Sequence, residues 1–553
     1  MPMMVKRRKK TKGKRKRLGQ FYTPNWVVDY IIRHTLGPAF TQDPTRLLGE
    51  FTVLDPACGD GAFLLGALRF LSEKVDSYPA ANQRLLRRSI VDSIHGIDID
   101  AKAIKACQEQ LEKASKTLLG SPADFSQRVL IGNSLIQTDM NAKEIFGSTL
   151  QKQYPVDWQR VYPWVMRDAG FDVIVGNPPF LGIKAMDPQI KEYIRSRYRT
   201  VHQQFDILIP FIELGLTLLR PGGRLGFIVS NKVLAADYGS LLRKSLVNSY
   251  VIERMVDISH LNIFEDAATY PHIIIIRKPK SPEDVKHNKI HIPTPPTDPN
   301  DMASEPVKVN QVPQHYYTTL PNTILAPALT EKKFSILRKL IHNTIPLGQA
   351  CTIRCGIAKT GFTKQLLSVS AYKELSQTRQ QKTLPFLNAG DVRRYYLRRK
   401  KFLSYTPKLS TLDQWRDFEE PKLVIAGMAK CLRVALDQTG HALGRVYYIT
   451  QTRAPYNPYF MLGLLNSRLI NAYFSLLFVA THLRSGYIRY NATYLEQIPL
   501  VTPTQHQEEQ LADLTKLVVQ NPKYLTKGLD HEIDDVVNNL YGLNADEVSL
   551  LEE

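Results

Sequence analysis

The chain has 553 residues, 43% hydrophobic and 22% charged, the composition of a globular protein too long for one ordinary hydrophobic core; two to four domains are expected. No uninterrupted apolar run reaches about 18 residues and the N-terminus is polycationic, which argues against a membrane span and a secretory signal and for a cytoplasmic protein. Net charge is +20, and removing the ten basic residues between Lys6 and Arg17 still leaves +10, so the excess is not a tail effect alone and a polyanionic partner is the physical reading.

Residues 1–17 read as a basic tail, equally a solvated segment or a source of phosphate contacts. Leu18 to Pro24 reads as a turn leading into an amphipathic helix from Asn25 to Leu36. Short apolar runs at Phe51–Leu54, Ile94–Ile97, Val129–Ile131, Phe171–Val175 and Leu225–Val229 then alternate with helical stretches such as Ala62–Lys74 and Ala101–Lys116. That rhythm predicts an α/β fold, a doubly wound, mostly parallel sheet, with Val251–Val256 and His272–Ile276 completing seven strands. The catalytic domain is expected over 18–278. Residues 279–315, rich in Pro, Asp, Lys and Asn, read as a linker, and 316–553 as an α+β recognition domain ending in helices, including Gln507–Val519. Cys58, Cys107, Cys351, Cys355 and Cys431 are odd in number and lack a Cys-x-x-Cys pair, so neither a disulfide framework nor a zinc or other metal site is expected.

Three constellations carry chemistry. Asp55-Pro56-Ala57-Cys58-Gly59-Asp60-Gly61 is a strand end, a glycine turn and a helix start. It lacks the third glycine of a dinucleotide fingerprint, and Asp55 would repel a pyrophosphate but suits the cationic amino group of a methionine moiety. His95-Gly96-Ile97-Asp98-Ile99-Asp100 ends the next strand; Asp98 is the candidate acceptor for ribose hydroxyls, while Asp100 is expected to cap the following helix. Asn177-Pro178-Pro179-Phe180 follows an apolar strand. An amide oxygen and the Pro178 carbonyl can hold the two hydrogens of an amino group conjugated to a base ring, so that its lone pair points out of the ring, and Phe180 can stack on the base.

With these motifs in this order, the chain resembles the gamma-class (TaqI-like) N6-adenine DNA methyltransferases of restriction-modification. Gly19-Gln20-Phe21-Tyr22-Thr23-Pro24 looks like that class's N-terminal cofactor motif, and Gly132-Asn133-Ser134-Leu135 its adenine-edge motif, with Asn133 where members often carry Asp. The resemblance implies S-adenosylmethionine held by Tyr22, Thr23, Pro24, Asp55, Pro56, Ala57, Cys58, Gly59, Gly61, Asp98, Ile99, Asn133 and Ser134. It implies transfer to N6 of a flipped-out adenine by Asn177, Pro178, Pro179 and Phe180, with Phe264 or Tyr270 as the second stacking ring. The second half looks like a TaqI-like C-terminal specificity domain, in Cys355–Phe362, Pro385–Val392, Pro421–Val424 and Leu464–Ser467; Arg393, Arg394, Lys430, Arg433, Arg484 and Arg489 are its candidate DNA contacts. Double-stranded DNA is the implied partner, and a cognate restriction endonuclease on a separate chain is the partner this setting adds. Methylation of an RNA guanine amino group or a protein glutamine, and a catalytically silent DNA-binding subunit, are the competing readings.

Overall fold

A computed structural model describes residues 23–42, 50–261, 263, 270–302, 308–357, 365–380, 383–398, 401–404, 415–452, 456–478 and 486–552. The chain divides into two compact units, Met1–Glu331 and Lys332–Glu553.

The first unit is built on a nine-stranded sheet in the order β3-β2-β1-β4-β5-β7-β6-β8-β9. Its strands are β1 (Val53–Asp55), β2 (Ile94–Asp98), β3 (Val129–Ile131), β4 (Phe171–Gly176), β5 (Leu219–Ser230), β6 (Val251–Asp257), β7 (Pro271–Arg277), β8 (Lys289–Pro293) and β9 (Val309–Pro313). Strands β1 to β5 run parallel, and β7 is antiparallel to both β5 and β6. The apolar runs that lack alternation are thereby explained: β1, β2 and β4 are buried along their whole length, on both faces. Helices Asn25–Gln42 and Ala62–Val75 pack their apolar sides into one core with Val53, Val173 and Val175. The first helix runs six residues past the expected Leu36, through Pro38, whose missing N–H costs one helical bond that the buried Ile31, Ile32, Leu36 and Ala39 outweigh.

The expected linker over 279–315 is corrected by β8 and β9, which extend the sheet. Composition hid an alternation: Ile290, Ile292 and Val312 are buried, and prolines stand only at the strand ends, Pro293 and Pro313. The buried carboxamide of Gln314 then locks the segment down, accepting from Ile252 N at 2.9 Å and donating to the Val247 and Tyr250 carbonyls at 2.8 and 2.7 Å. The boundary between the units falls later, after Glu331.

In the second unit, strands Cys351–Cys355, Val446–Thr452, Lys422–Ala426 and Val434–Asp437 form one antiparallel sheet and four short strands form another. Across the apolar stretch that begins at Tyr459, the described residues form two buried helices, Pro458–Asn466 and Arg468–Leu477, bent by 58°. Among the described residues no single helix is long and apolar enough to cross a membrane.

Candidate active site

Strand order reverses between β2 and β4 on either side of β1, so the crevice beyond the carboxyl ends of β1 and β4 is where a doubly wound sheet binds its ligand. Asp55 ends β1 and Asn177 follows β4. Between them opens a cavity of about 770 Å³ lined by Thr23, Asp55, Pro56, Ala57, Cys58, Gly59, Asp98, Ile99, Asn133, Ser134, Asn177 and Pro179, among others. Residues separated by 154 positions in sequence thus converge on one space.

The glycine turn is held from three sides. Gly59 N–H donates to Asp98 Oδ2 at 2.9 Å, Ala57 N–H donates to Asp55 Oδ1 at 3.0 Å, and Ser134 Oγ donates to the Pro56 carbonyl at 2.6 Å. Asp98 Oδ1 accepts from Asp100 N–H at 2.8 Å, and Asp100 caps the helix Ala101–Leu118 as expected. Gly61 sits at φ 95°, and a Cβ there would meet Cys107 Sγ at 2.6 Å. The glycine thus lets the turn pack against Cys107.

Electrostatically the cleft is acidic: Asp55, Asp60, Asp98, Asp100 and Asp187 line it against one lysine, Lys102. Burial pushes the Asp55 carboxyl up to about 8, and the nearby Asp98 charge pushes it the same way against the Ala57 hydrogen bond. Burial also raises Asp98. The thiol of Cys58 is pushed up by Cys107 and by burial and is no nucleophile. Such a donor set suits a cationic, hydroxylated ligand, and it fits S-adenosylmethionine better than any phosphate-bearing cofactor.

Asn177 is oriented. Its Nδ2 donates to Thr23 Oγ1 at 3.1 Å, and its buried Oδ1 has no hydrogen-bond partner among the described residues. Leaving a buried acceptor unpaired costs about 1–3 kcal/mol, a cost found where an incoming group will complete the bond. Asn133, which also lines the cavity, accepts at Oδ1 from Leu135 N–H at 3.3 Å.

Other expected positions fall elsewhere. Pro24 lies outside the cavity lining, and its carbonyl starts the helix by accepting from Val27 and Val28. Pro178 is buried, and Phe180 packs with Ile263 against the core. Tyr270 stands at the entry to β7, where its carbonyl accepts from Asn231 N–H. Tyr22, Phe264 and Arg484 lie outside the described residues. Sequence reading missed Leu181, Met186, Ile190, Ile207 and Phe211, the apolar wall of the cavity. The signal was the apolar run Leu208–Leu218 after Phe205-Asp206, whose start is brought onto the Asn177 loop by the bond from Ile207 N–H to the Leu181 carbonyl.

In the second unit, several quoted motifs turn out to be internal clamps. Asn388 and Asp391 form a reciprocal cap, and Asn466 pairs both its carboxamide ends with the Val434 backbone. Arg394 is bound by both carboxylate oxygens of Asp530, at 2.8 and 2.6 Å, and by the Asn466 carbonyl; it braces the unit and is not available to a phosphate. Arg393 folds back onto the Gly390 carbonyl at 2.7 Å. By contrast, Met428–Ala429 and Ile488–Arg489 pair as a two-stranded ribbon that buries Ala429 and Ile488 and exposes Met428 and Arg489, with Lys430 exposed at its end and Arg433 partly so. No group of three or more potential metal ligands occurs among the described residues.

Residues 92–264 match the Eco57I restriction-modification methylase family, and residues 384–500 match the TaqI-like C-terminal specificity domain. The chain is similar to the restriction-modification methylases in its first unit and to TaqI-like specificity domains in its second. The Type II methyltransferase M.BstVI of Geobacillus stearothermophilus is 26% identical over 97% of this chain and 98% of its own length. M.PaeR7I of Pseudomonas aeruginosa is 29% identical over 48% of this chain, and the Type II restriction enzyme and methyltransferase RM.Eco57I of Escherichia coli 26% over 46%. The chain spans only 42% and 27% of those two relatives. In fold, the chain is similar to the Type IIL restriction-modification enzyme MmeI, solved with DNA, with a TM-score of 0.65 at 15% identity over 98% of this chain and 78% of that one. It also resembles DrdV, with a TM-score of 0.58 at 14% identity over 92% of this chain and 57% of that one.

Proposed function

We propose that the protein is a site-specific DNA methyltransferase that modifies N6 of an adenine flipped out of duplex DNA. The observation that carries this reading is the Asn177 carboxamide, held by Thr23 at the rim of an acidic cofactor cleft with its oxygen unpaired. S-adenosylmethionine, when bound, supplies an electrophilic methyl group. Of the residues lining the cavity, Asp98 would accept from its ribose hydroxyls, Asp55 would meet its ammonium, and Ile99 with the apolar wall would hold its adenine.

The chain's own residues then handle the target. An exocyclic amino group shares its lone pair with the ring and is a poor nucleophile. Asn177 Oδ1 and the Pro178 carbonyl accept its two hydrogens, which turns the lone pair toward the methyl group, and Phe180 stacks on the base with Phe264 or Tyr270 opposite. No covalent enzyme intermediate is required.

The second unit chooses the site. A two-stranded ribbon is narrow enough to enter the major groove, where Arg489 can meet guanine acceptors and Met428 a thymine methyl group, while Lys430 and Arg433 meet phosphates. The matched families support a restriction-modification setting; a cytoplasmic location and a cognate endonuclease on another chain complete the proposal. Mapping modified bases in the DNA of a host expressing the protein tests the whole reading: one short motif methylated at adenine is expected, and its loss with Asn177→Ala. A host genome left unmodified by the folded wild-type protein, or modified only at cytosine, would refute it.

A further inference from the structure

Thr23 is expected, from the motif it belongs to, to be a cofactor ligand. The geometry points to a different role, which rests on the reading above: we propose that Thr23 is the positioning residue that holds Asn177 in its methyl-transfer orientation.

Three observations support this. Thr23 Oγ1 takes the Asn177 Nδ2 hydrogen at 3.1 Å across 154 residues of sequence, and it is the one described partner of that carboxamide. Thr23 is itself buried, 5% exposed, so little water competes for the bond. Its backbone is anchored by the helix that follows, whose first turn is tied to the Pro24 carbonyl and whose apolar side lies in the core beside β4. The hydroxyl is therefore delivered from a rigid element to the end of the strand that carries Asn177.

A carboxamide has two ends of nearly equal size and opposite hydrogen-bonding sense. Turned over, Asn177 would present N–H to an amino group that can only donate in the required geometry. With Nδ2 engaged by Thr23, Oδ1 is the end of the carboxamide left unpaired, and each new bond to Oδ1 makes Nδ2 a stronger donor to Thr23. The hydroxyl does not touch the base; it acts through Asn177.

The test uses the full chain with unmodified genomic DNA and methyl-tritiated S-adenosylmethionine, under single-turnover conditions at saturating cofactor. Thr23→Val keeps the shape and removes the acceptor; Thr23→Ser keeps the acceptor. Thr23→Val should slow transfer about tenfold or more, with the cofactor Kd within about threefold of wild type, and Thr23→Ser should recover most of the rate. The proposal is overturned by a wild-type rate in Thr23→Val, or by a defect that appears wholly as cofactor Kd and vanishes at saturation. It is equally overturned if Thr23→Ser is as slow as Thr23→Val while both melt at the wild-type temperature. Asn177→Ala in the same assay separates the levels: if that variant also transfers normally, the assignment of the reaction fails and not only the role of Thr23.

Discussion

Gly176 and Asp55 stand so close across β4 and β1 that a Cβ on Gly176 would lie 2.8 Å from Asp55 Oδ1. The strand that delivers Asn177 can thus approach the strand that delivers Asp55 only because position 176 has no side chain. Gly176→Ala is expected to displace the Asp55 carboxyl, weaken S-adenosylmethionine about tenfold or more and cost about 1–3 kcal/mol of stability. Calorimetric titration with a thermal melt on the same sample measures both, and unchanged cofactor affinity would show that the Asp55 position is not critical.

Asp98 carries two loads, the Gly59 and Asp100 N–H groups, and the proposed ribose hydroxyls. Asp98→Ala removes a charged acceptor worth about 1.5–3 kcal/mol, so cofactor affinity should fall roughly ten- to a hundredfold. Asp98→Asn, which retains one acceptor, should lie between. Equal affinity in all three proteins would remove Asp98 from the site.

The buried Asp55 carboxyl, raised to about 8, makes cofactor binding a proton-linked event. Below that value the empty cleft holds a proton that a cationic ligand must displace, so affinity should rise as pH goes from 6 to 8 and level off above, with proton release on binding. The same shift makes the free protein lose stability as pH rises through that interval, because the folded state binds the extra proton. Titrations in buffers of different ionisation enthalpy count the protons. A flat profile that Asp55→Asn does not alter would contradict the assignment.

In the second unit, Lys422, Asp437 and His441 form a buried chain, with Asp437 Oδ2 3.0 Å from Lys422 Nζ and Oδ1 2.7 Å from His441 Nδ1. Burial alone would raise Asp437, but its bonds from His441 and Lys422 outweigh that and hold it below the usual carboxylate range. Its contribution to stability is therefore present above pH of about 4 and lost as pH falls below it. Asp437→Ala removes the counter-charge of the buried Lys422 ammonium, which also donates to the Phe418 and Glu420 carbonyls at 2.6 and 2.9 Å, and should destabilise the protein by about 3–5 kcal/mol. Denaturant titration checks this, and a loss under about 1 kcal/mol would show that the two carbonyls hold the ammonium without Asp437.

The sequence was most legible where chemistry restricts residue type. The Asn177 loop, the Asp98 strand end and the helix cap at Asp100 all stand where their local patterns put them. It was least legible where function depends on distance across the fold. Nothing local shows that Gly61 packs against Cys107, that Thr23 meets Asn177, or that Arg394 pairs with Asp530. The misplaced linker has a third cause. Prolines and charges dominated its average composition, while three buried apolar residues at alternate positions decided its structure.

The central claim is that Asn177 presents an acceptor to the amino group of adenine. Its most direct test is enzymatic digestion of DNA treated with purified protein and S-adenosylmethionine, followed by mass spectrometry of the nucleosides. Wild type should yield N6-methyl-2′-deoxyadenosine, and Asn177→Ala, having lost a transition-state contact worth about 3 kcal/mol or more, should yield at most about a hundredth as much while still binding cofactor. A methylated cytosine as the product, or an equal yield from Asn177→Ala, would contradict the account.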